Sequence, residues 1–144
     1  MKNLFFASAI LLLSFSSCSE ELDCCVIEGG EQKWALVEMT GSFTPSITTG
    51  DEMDWQEYYL LNTTTGTFTK SRTREGVQTS ASGTFIMNTT EEEHSIELTY
   101  PSDNELIANC TGDLIEVLII ESDNTLKGTW AHCDGPGLKY QRTE

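Results

Sequence analysis

The chain has 144 residues, with 8 Lys+Arg against 23 Asp+Glu and a formal charge of −15. That length suits one compact domain rather than two, and the charge argues against nucleic acid and anionic lipid, which both need clustered Lys and Arg. Hydrophobic residues make up 38% of the chain, including six Phe, four Tyr and three Trp, which is enough for a core and too many for a disordered polymer.

Residues 1–17, MKNLFFASAILLLSFSS, place Lys2 before an apolar run from Leu4 to Leu13 that only Ser8 interrupts, with Ser14, Ser16 and Ser17 following. Such a run is too short to span a membrane, which takes roughly 20 residues, and it suits the apolar region of a signal peptide. The next residues, Phe15-Ser16-Ser17-Cys18, resemble the lipobox of a bacterial lipoprotein, with Phe15 where Leu is usual. The resemblance implies cleavage before Cys18, diacylation of that cysteine and attachment through palmitate-type chains. Two acyl chains are enough for stable anchoring. The alternative is an ordinary secretory signal with an incidental cysteine. Cys18-Ser19-Glu20-Glu21-Leu22-Asp23 also resembles the surface-export signal of Bacteroidetes lipoproteins, although a solvated acidic tether would read the same. The expected organisation is a lipoprotein signal peptide over 1–17, an acidic tether over 18–31 and one β domain over 32–144. The expected location is the bacterial outer membrane or cell surface, with the membrane touched through the lipid anchor only.

From Lys33 onward, short runs rich in Thr, Tyr, Phe, Ile and Val alternate with turn signals. Strands are expected over Trp34–Phe43, Trp55–Leu61, Thr67–Arg74, Ala81–Met87, His94–Tyr100, Glu105–Cys110, Leu114–Glu121, Leu126–Cys133 and Leu138–Arg142. The breaks contain Pro45 and Gly50, Asn62 and Gly66, Glu75-Gly76, Asn88, Pro101 with Asp103-Asn104, Gly112-Asp113, Asp123-Asn124 and Gly135-Pro136-Gly137, residues that suit tight reversals. His94, Ile96, Leu98 and Tyr100 share one face and Ser95, Glu97 and Thr99 the other, the period-2 pattern of a half-buried strand. Leu114–Ile120 is apolar on both faces apart from Glu116 and reads as a central strand, partly covered by the tether. No amphipathic helix is evident. The pattern predicts an all-β, antiparallel up-and-down meander of eight to nine strands, closed as a barrel or folded as a sandwich; closure removes the two free edges. The long connection Thr44–Asp54 is a natural cover for one mouth.

Besides Cys18 there are Cys24, Cys25, Cys110 and Cys133, and export would favour disulfides. Cys110–Cys133 is the preferred bridge, while Cys24 or Cys25 reaching one of those two is the alternative. His132 beside Cys133 suggests zinc, but no spacing for a tetrahedral cage exists. Glu91-Glu92-Glu93 and Asp51-Glu52 with Asp54 lack the regular ligand spacing of a calcium loop and read as solvated charge. No metal and no cofactor is expected.

Gly30 with Trp34-Ala-Leu-Val37, the run Asn62-Thr-Thr-Thr-Gly-Thr-Phe68, Ser82-Gly-Thr-Phe85 and the closing Leu138-Lys-Tyr-Gln-Arg142 together resemble the lipocalin-like domains of Bacteroidetes lipoproteins, over roughly residues 30–143. In lipocalins a Gly-x-Trp opens the first strand, and its Trp closes one barrel end against an arginine of the last. The resemblance gives those parts to Trp34 and Arg142, although Gly30 and Trp34 stand four apart and no second lipocalin motif follows. It implies a barrel with an internal cavity and does not name the occupant; the leading expectation for that occupant is a small hydrophobic or amphipathic ligand.

Lys70 and Arg72 fall on the same strand face as Phe68. If that face is internal, they would clamp an amphipathic carboxylate. The preferred reading leaves both cations facing water and pairing with the abundant acids. Trp34, Tyr58, Trp130 and Tyr140 read either as core or as a stacking platform, with core preferred. Trp55, flanked by Asp54 and Glu57 near the long connection, is the best candidate for an exposed aromatic. Catalysis finds little support: only His94 and His132 are available as bases, and no nucleophile elbow or phosphate loop is present. The leading expectation is therefore a monomeric, non-enzymatic carrier whose candidate ligand contacts are Trp34, Tyr58, Phe68, Lys70, Arg72 and Trp130. Its rival is a surface interaction module, gripping a protein or glycan and inhibitor-like, with a solid barrel core.

Overall fold

The computed structural model describes residues 29–41 and 46–143. The signal peptide, Cys18, the tether up to residue 28 and the pairing of Cys24 and Cys25 lie outside the described residues.

Nine strands run in chain order: β1 Glu31–Thr40, β2 Ile47–Thr49, β3 Gln56–Asn62, β4 Thr67–Arg74, β5 Val77–Thr89, β6 His94–Thr99, β7 Ile115–Ser122, β8 Thr125–Gly128 and β9 Gly137–Arg142. Every pairing is antiparallel, and β1 pairs with β9 as well as with β3, so eight strands close into a barrel. Strand β2 is the extra one, added beside the C-terminal half of β1 where the β1–β3 ladder has ended. Among the described residues there is no α-helix, only two short 3-10 turns at Gly50–Glu52 and Trp130–Cys133. None is long and apolar enough to cross a membrane.

Tight hairpins set the register. Between β4 and β5, Glu75 (φ 52°) and Gly76 (φ 79°) both take the left-handed conformation that matches strand twist in a two-residue reversal. That turn lets β5 begin at Val77, four residues earlier than the composition suggested. Gly83 of β5 has a different role. A Cβ there would strike the Thr99 carbonyl and come within 2.8 Å of the Phe68 ring, so the missing side chain is what admits Phe68 to the interior.

The barrel has two unlike ends. At one end lie Gly30, the Asn62–Thr67, Thr89–His94 and Ser122–Thr125 reversals and the C-terminus of β9. Trp34 is fully buried toward this end, donates its indole N–H to Gln32 Oε1 (3.2 Å) and stands opposite Arg142 in the β1–β9 ladder. The other end is crossed by residues 100–114. Glu105–Cys110, expected as a strand, is irregular, and the reason lies in Asn104 just before it and Asn109 within it. Asn104 Oδ1 accepts from the Leu106 N–H, and Asn109 donates to the Asp113 and Ile115 carbonyls while accepting from the Gly112 N–H. Side chains thus take the place of ladder partners. The alternation that suggested a strand is real, since Leu106 and Ala108 are both buried, but they plug the barrel end instead of lining a sheet. Likewise, the strand expected over Leu126–Cys133 stops at Gly128, and Trp130–Cys133 turns away to meet the plug. Cys110 and Cys133 form the disulfide that joins the two (Cα–Cα 5.6 Å).

Candidate functional site

Alternate residues of each strand fill the lumen. Trp34, Phe68, Phe85, Ile96, Leu98, Leu118, Leu126, Leu138 and Tyr140 are all buried in one cluster. In its midst lie four charged side chains. Lys70, fully buried, donates to Glu116 Oε1 and Oε2 (2.9 and 3.2 Å) and to the Leu106 carbonyl of the plug (2.7 Å), with Glu57 Oε1 at 3.4 Å. Arg72 donates Nε–H to Glu57 Oε2 at 2.6 Å. Three tyrosines complete the cage. Tyr59 and Tyr100 donate to the two oxygens of Glu116 (2.7 and 2.6 Å), and Tyr140 donates to Glu57 Oε1 (2.5 Å). Two cations face two carboxylates, so the cluster is electrically balanced, as an ionic group taken out of water must be.

Burial holds the Tyr59, Tyr100 and Tyr140 hydroxyls well above the usual tyrosine range. Carboxylate charge adds to this, chiefly Glu116 for Tyr59 and Tyr100 and Glu57 for Tyr140. The three therefore act as fixed hydrogen-bond donors. Lys70 also stands 5.0 Å from the Tyr59 ring centroid, and Tyr59 meets Tyr140 edge-on.

This arrangement corrects the preferred reading of Lys70 and Arg72. Both share the inner face with Phe68 and neither faces water, with side-chain exposures of 0% and 12%. They do pair with acids, but with Glu57 and Glu116 inside the barrel. Their charges are already answered by the protein's own carboxylates, so a carboxylate ligand would have to displace one of these. Glu57 and Glu116 were the residues that the sequence did not single out. The signal for Glu116 was its isolation in an apolar strand, and for Glu57 its place in the Glu57-Tyr59-Leu61 alternation. The meeting of β4 with β7 across the lumen was not readable.

Among the other expected site residues, Trp34 and Phe68 are core. Tyr58 lies on the outer face, half-buried, with the Lys33 ammonium 5.0 Å from its ring centroid. Trp130 is half-buried at the plugged end, against Gly135. Trp55, expected to be exposed, is buried (8% exposure) because the Arg72 and Arg74 guanidinium groups lie against its ring at 4.4 and 5.8 Å. Beside it a recess of about 350 Å³ opens at the barrel rim, lined by Met39, Thr48, Asp54, Trp55, Trp130 and Pro136 among others. His94 and His132 lie at different ends of the barrel, and no cluster of three or more His, Cys, Asp or Glu residues suited to a metal occurs among the described residues.

The chain was compared with protein-family models, curated proteins and solved structures, and none matches.

Proposed function

We propose that this chain is a non-enzymatic binding protein of a bacterial envelope, a lipoprotein anchored through Cys18, whose barrel is solid and whose contacts are made at its plugged rim. The observation that carries this reading is the Lys70–Glu116–Glu57–Arg72 cluster. It occupies the space where a carrier would hold its cargo, and it is tied by Lys70 to the plug carbonyl of Leu106. The chain enters β1 at the opposite end from the plug. An anchor on the N-terminal side would join the barrel at that end, and the rim bearing Trp55 and Trp130 is the opposite one.

The carrier reading keeps one supporting observation. Closure of the barrel by β1 and β9, with Trp34 opposite Arg142, is the arrangement that the lipocalin-like resemblance implies. It requires residues 100–114 to leave the barrel end and the ionic cluster to open. Native mass spectrometry of protein purified from the cells that make it separates the two. The solid-barrel reading expects the mass of the mature chain and its acyl groups alone, and a stoichiometric small molecule retained on the barrel would overturn it.

A further inference from the structure

Strand β5 changes neighbours at Thr84. Val77–Thr84 pairs with β4 and Thr84–Thr89 pairs with β6, so from Val77 to Gly83 the side turned away from β4 is open. The Phe85 N–H goes to the Gly66 carbonyl on the β4 side, and alternation then turns the N–H and C=O groups of Gln78, Ser80 and Ser82 outward. None of the three has a backbone partner on that side among the described residues, and all three are exposed. Strand β6 does not continue along them, because the next residue that would face β5 is Pro101, which has no N–H to give.

Free edges in folded proteins usually carry charge, proline or a bulge that keeps other strands off. β5 carries none of these. All 13 residues of Val77–Thr89 are uncharged, in a chain of formal charge −15, and both of its ladders run without a register shift. Val77, where the strand begins, is 68% exposed. The charged groups beside the edge come two of each sign, Arg72 and Arg74 with Glu75 and Glu105, around a recess of about 230 Å³ that Val77 and Thr79 also line. An uncharged edge with balanced charge beside it lets two copies of an acidic chain approach.

The edge is also complementary to itself. A two-fold axis at Thr79 sets Gln78 opposite Ser80 of the second copy and Ser80 opposite its Gln78, and each pair exchanges both main-chain hydrogen bonds. On the inner face the same register sets Thr79 opposite Thr79 and Val77 opposite Ala81, small or β-branched side chains that pair well across strands. Moving the copy two residues further would carry its Val77 to Gly83, where the Thr99 carbonyl already lies. We infer that the open edge of β5, Gln78–Ser82, is a homodimer interface that joins the β4–β5 sheets of two copies into one. A single strand pair buries less than a standard interface, so the dimer is a weak one. The pairing is independent of what the lumen holds.

Sedimentation velocity on the intact, oxidised protein over a range of concentrations should show a monomer–dimer equilibrium. Gln78→Lys with Ser80→Lys sets like charges directly opposite in both pairs and should weaken the dimer about tenfold or more. Gln78→Lys with Ser80→Glu sets Lys against Glu in the same two pairs and should restore it. These side chains are exposed on the outer face, so the barrel stays folded. Thr79→Cys should be trapped by mild oxidation as a covalent dimer linked through position 79, because a non-hydrogen-bonded pair brings its Cα atoms to about 4.5 Å, within disulfide reach. Ser82→Cys, far from its own copy in this register, should not be trapped. A parent that stays monomeric at every concentration overturns the inference and leaves the edge to an extended segment of another protein. A dimer that the two lysines leave intact, or one trapped at Ser82→Cys and not at Thr79→Cys, overturns it by placing the contact elsewhere.

Discussion

Replacing Glu116 by Gln isolates what the buried cluster contributes, because the amide keeps the volume and can still accept from Tyr59 or Tyr100. At 2.9 Å and an effective dielectric of about 20, the Lys70–Glu116 attraction is about 6 kcal/mol before desolvation is counted. Removing one partner of a buried pair typically costs 3–5 kcal/mol, because the other charge is left uncompensated. Here Glu57, 3.4 Å from Lys70, retains part of the attraction while serving Arg72 as well, so the expected cost is about 3 kcal/mol. That is a large share of the 5–15 kcal/mol typical of a domain. Urea unfolding with the disulfide intact measures it. Adding Lys70→Met removes the stranded ammonium, so the double variant should be more stable than the sum of the singles by about 2 kcal/mol. A Glu116→Gln cost below about 1 kcal/mol, or strict additivity with Lys70→Met, would show that the two groups are not coupled in the lumen as described.

Alkaline unfolding follows from the three caged tyrosines. Their folded pKa values are raised, so the stabilisation is complete below the unfolded value near pH 10 and is lost as pH rises beyond it, by up to about 1.4 kcal/mol per pH unit for each tyrosine. Tyrosinate absorbance from these residues should thus appear together with loss of β-sheet circular dichroism, and ionisation of all three in a still-folded barrel would refute this. The Cys110–Cys133 bridge spans a sequence separation of 23, and replacing both residues by Ser should cost about 3 kcal/mol, with hydrogen exchange rising first in residues 100–114. Gly83→Ala should cost about 2 kcal/mol in the same urea assay, since its methyl would meet the Thr99 carbonyl and the Phe68 ring. A Cys18→Ala protein should leave the membrane fraction on detergent extraction, and its retention there would refute lipidation.

Much of the barrel was written in local pattern. The Ile96-Leu98-Tyr100 alternation and the Glu75-Gly76 and Asp123-Asn124 reversals each act within a strand or a hairpin, where chain and structure have the same neighbours, and the Cys110–Cys133 pairing spans the β7–β8 hairpin between them. The departures come from two sources, local side-chain hydrogen bonds that replace a ladder and contacts that sequence distance hides. Glu105–Cys110 has a strand's alternation, but Asn104 and Asn109 hydrogen-bond locally, so it crosses the barrel end and buries Leu106 under the lumen. Thr44–Asp54 held a further short strand, β2, because the outer edge of β1 was free beyond Ala35. The ionic cluster was half legible: Phe68, Lys70 and Arg72 were placed on one face, but which way that face pointed depended on Glu116, three strands away around the barrel. Facing water is the safer expectation for a lysine and an arginine on a strand, and it failed here because two carboxylates and three phenols converge on the lumen.

The most direct test is nitrogen-detected NMR of the Lys70 ammonium in the intact, oxidised protein. A caged group donating to Glu116 and the Leu106 carbonyl should give a slowly exchanging ammonium signal with close contacts to the Tyr59 ring, and Glu116→Gln should shift it. An ammonium that exchanges with water as fast as the other lysines, with no tyrosine contacts, would mean that the lumen is open and the solid-barrel account is wrong.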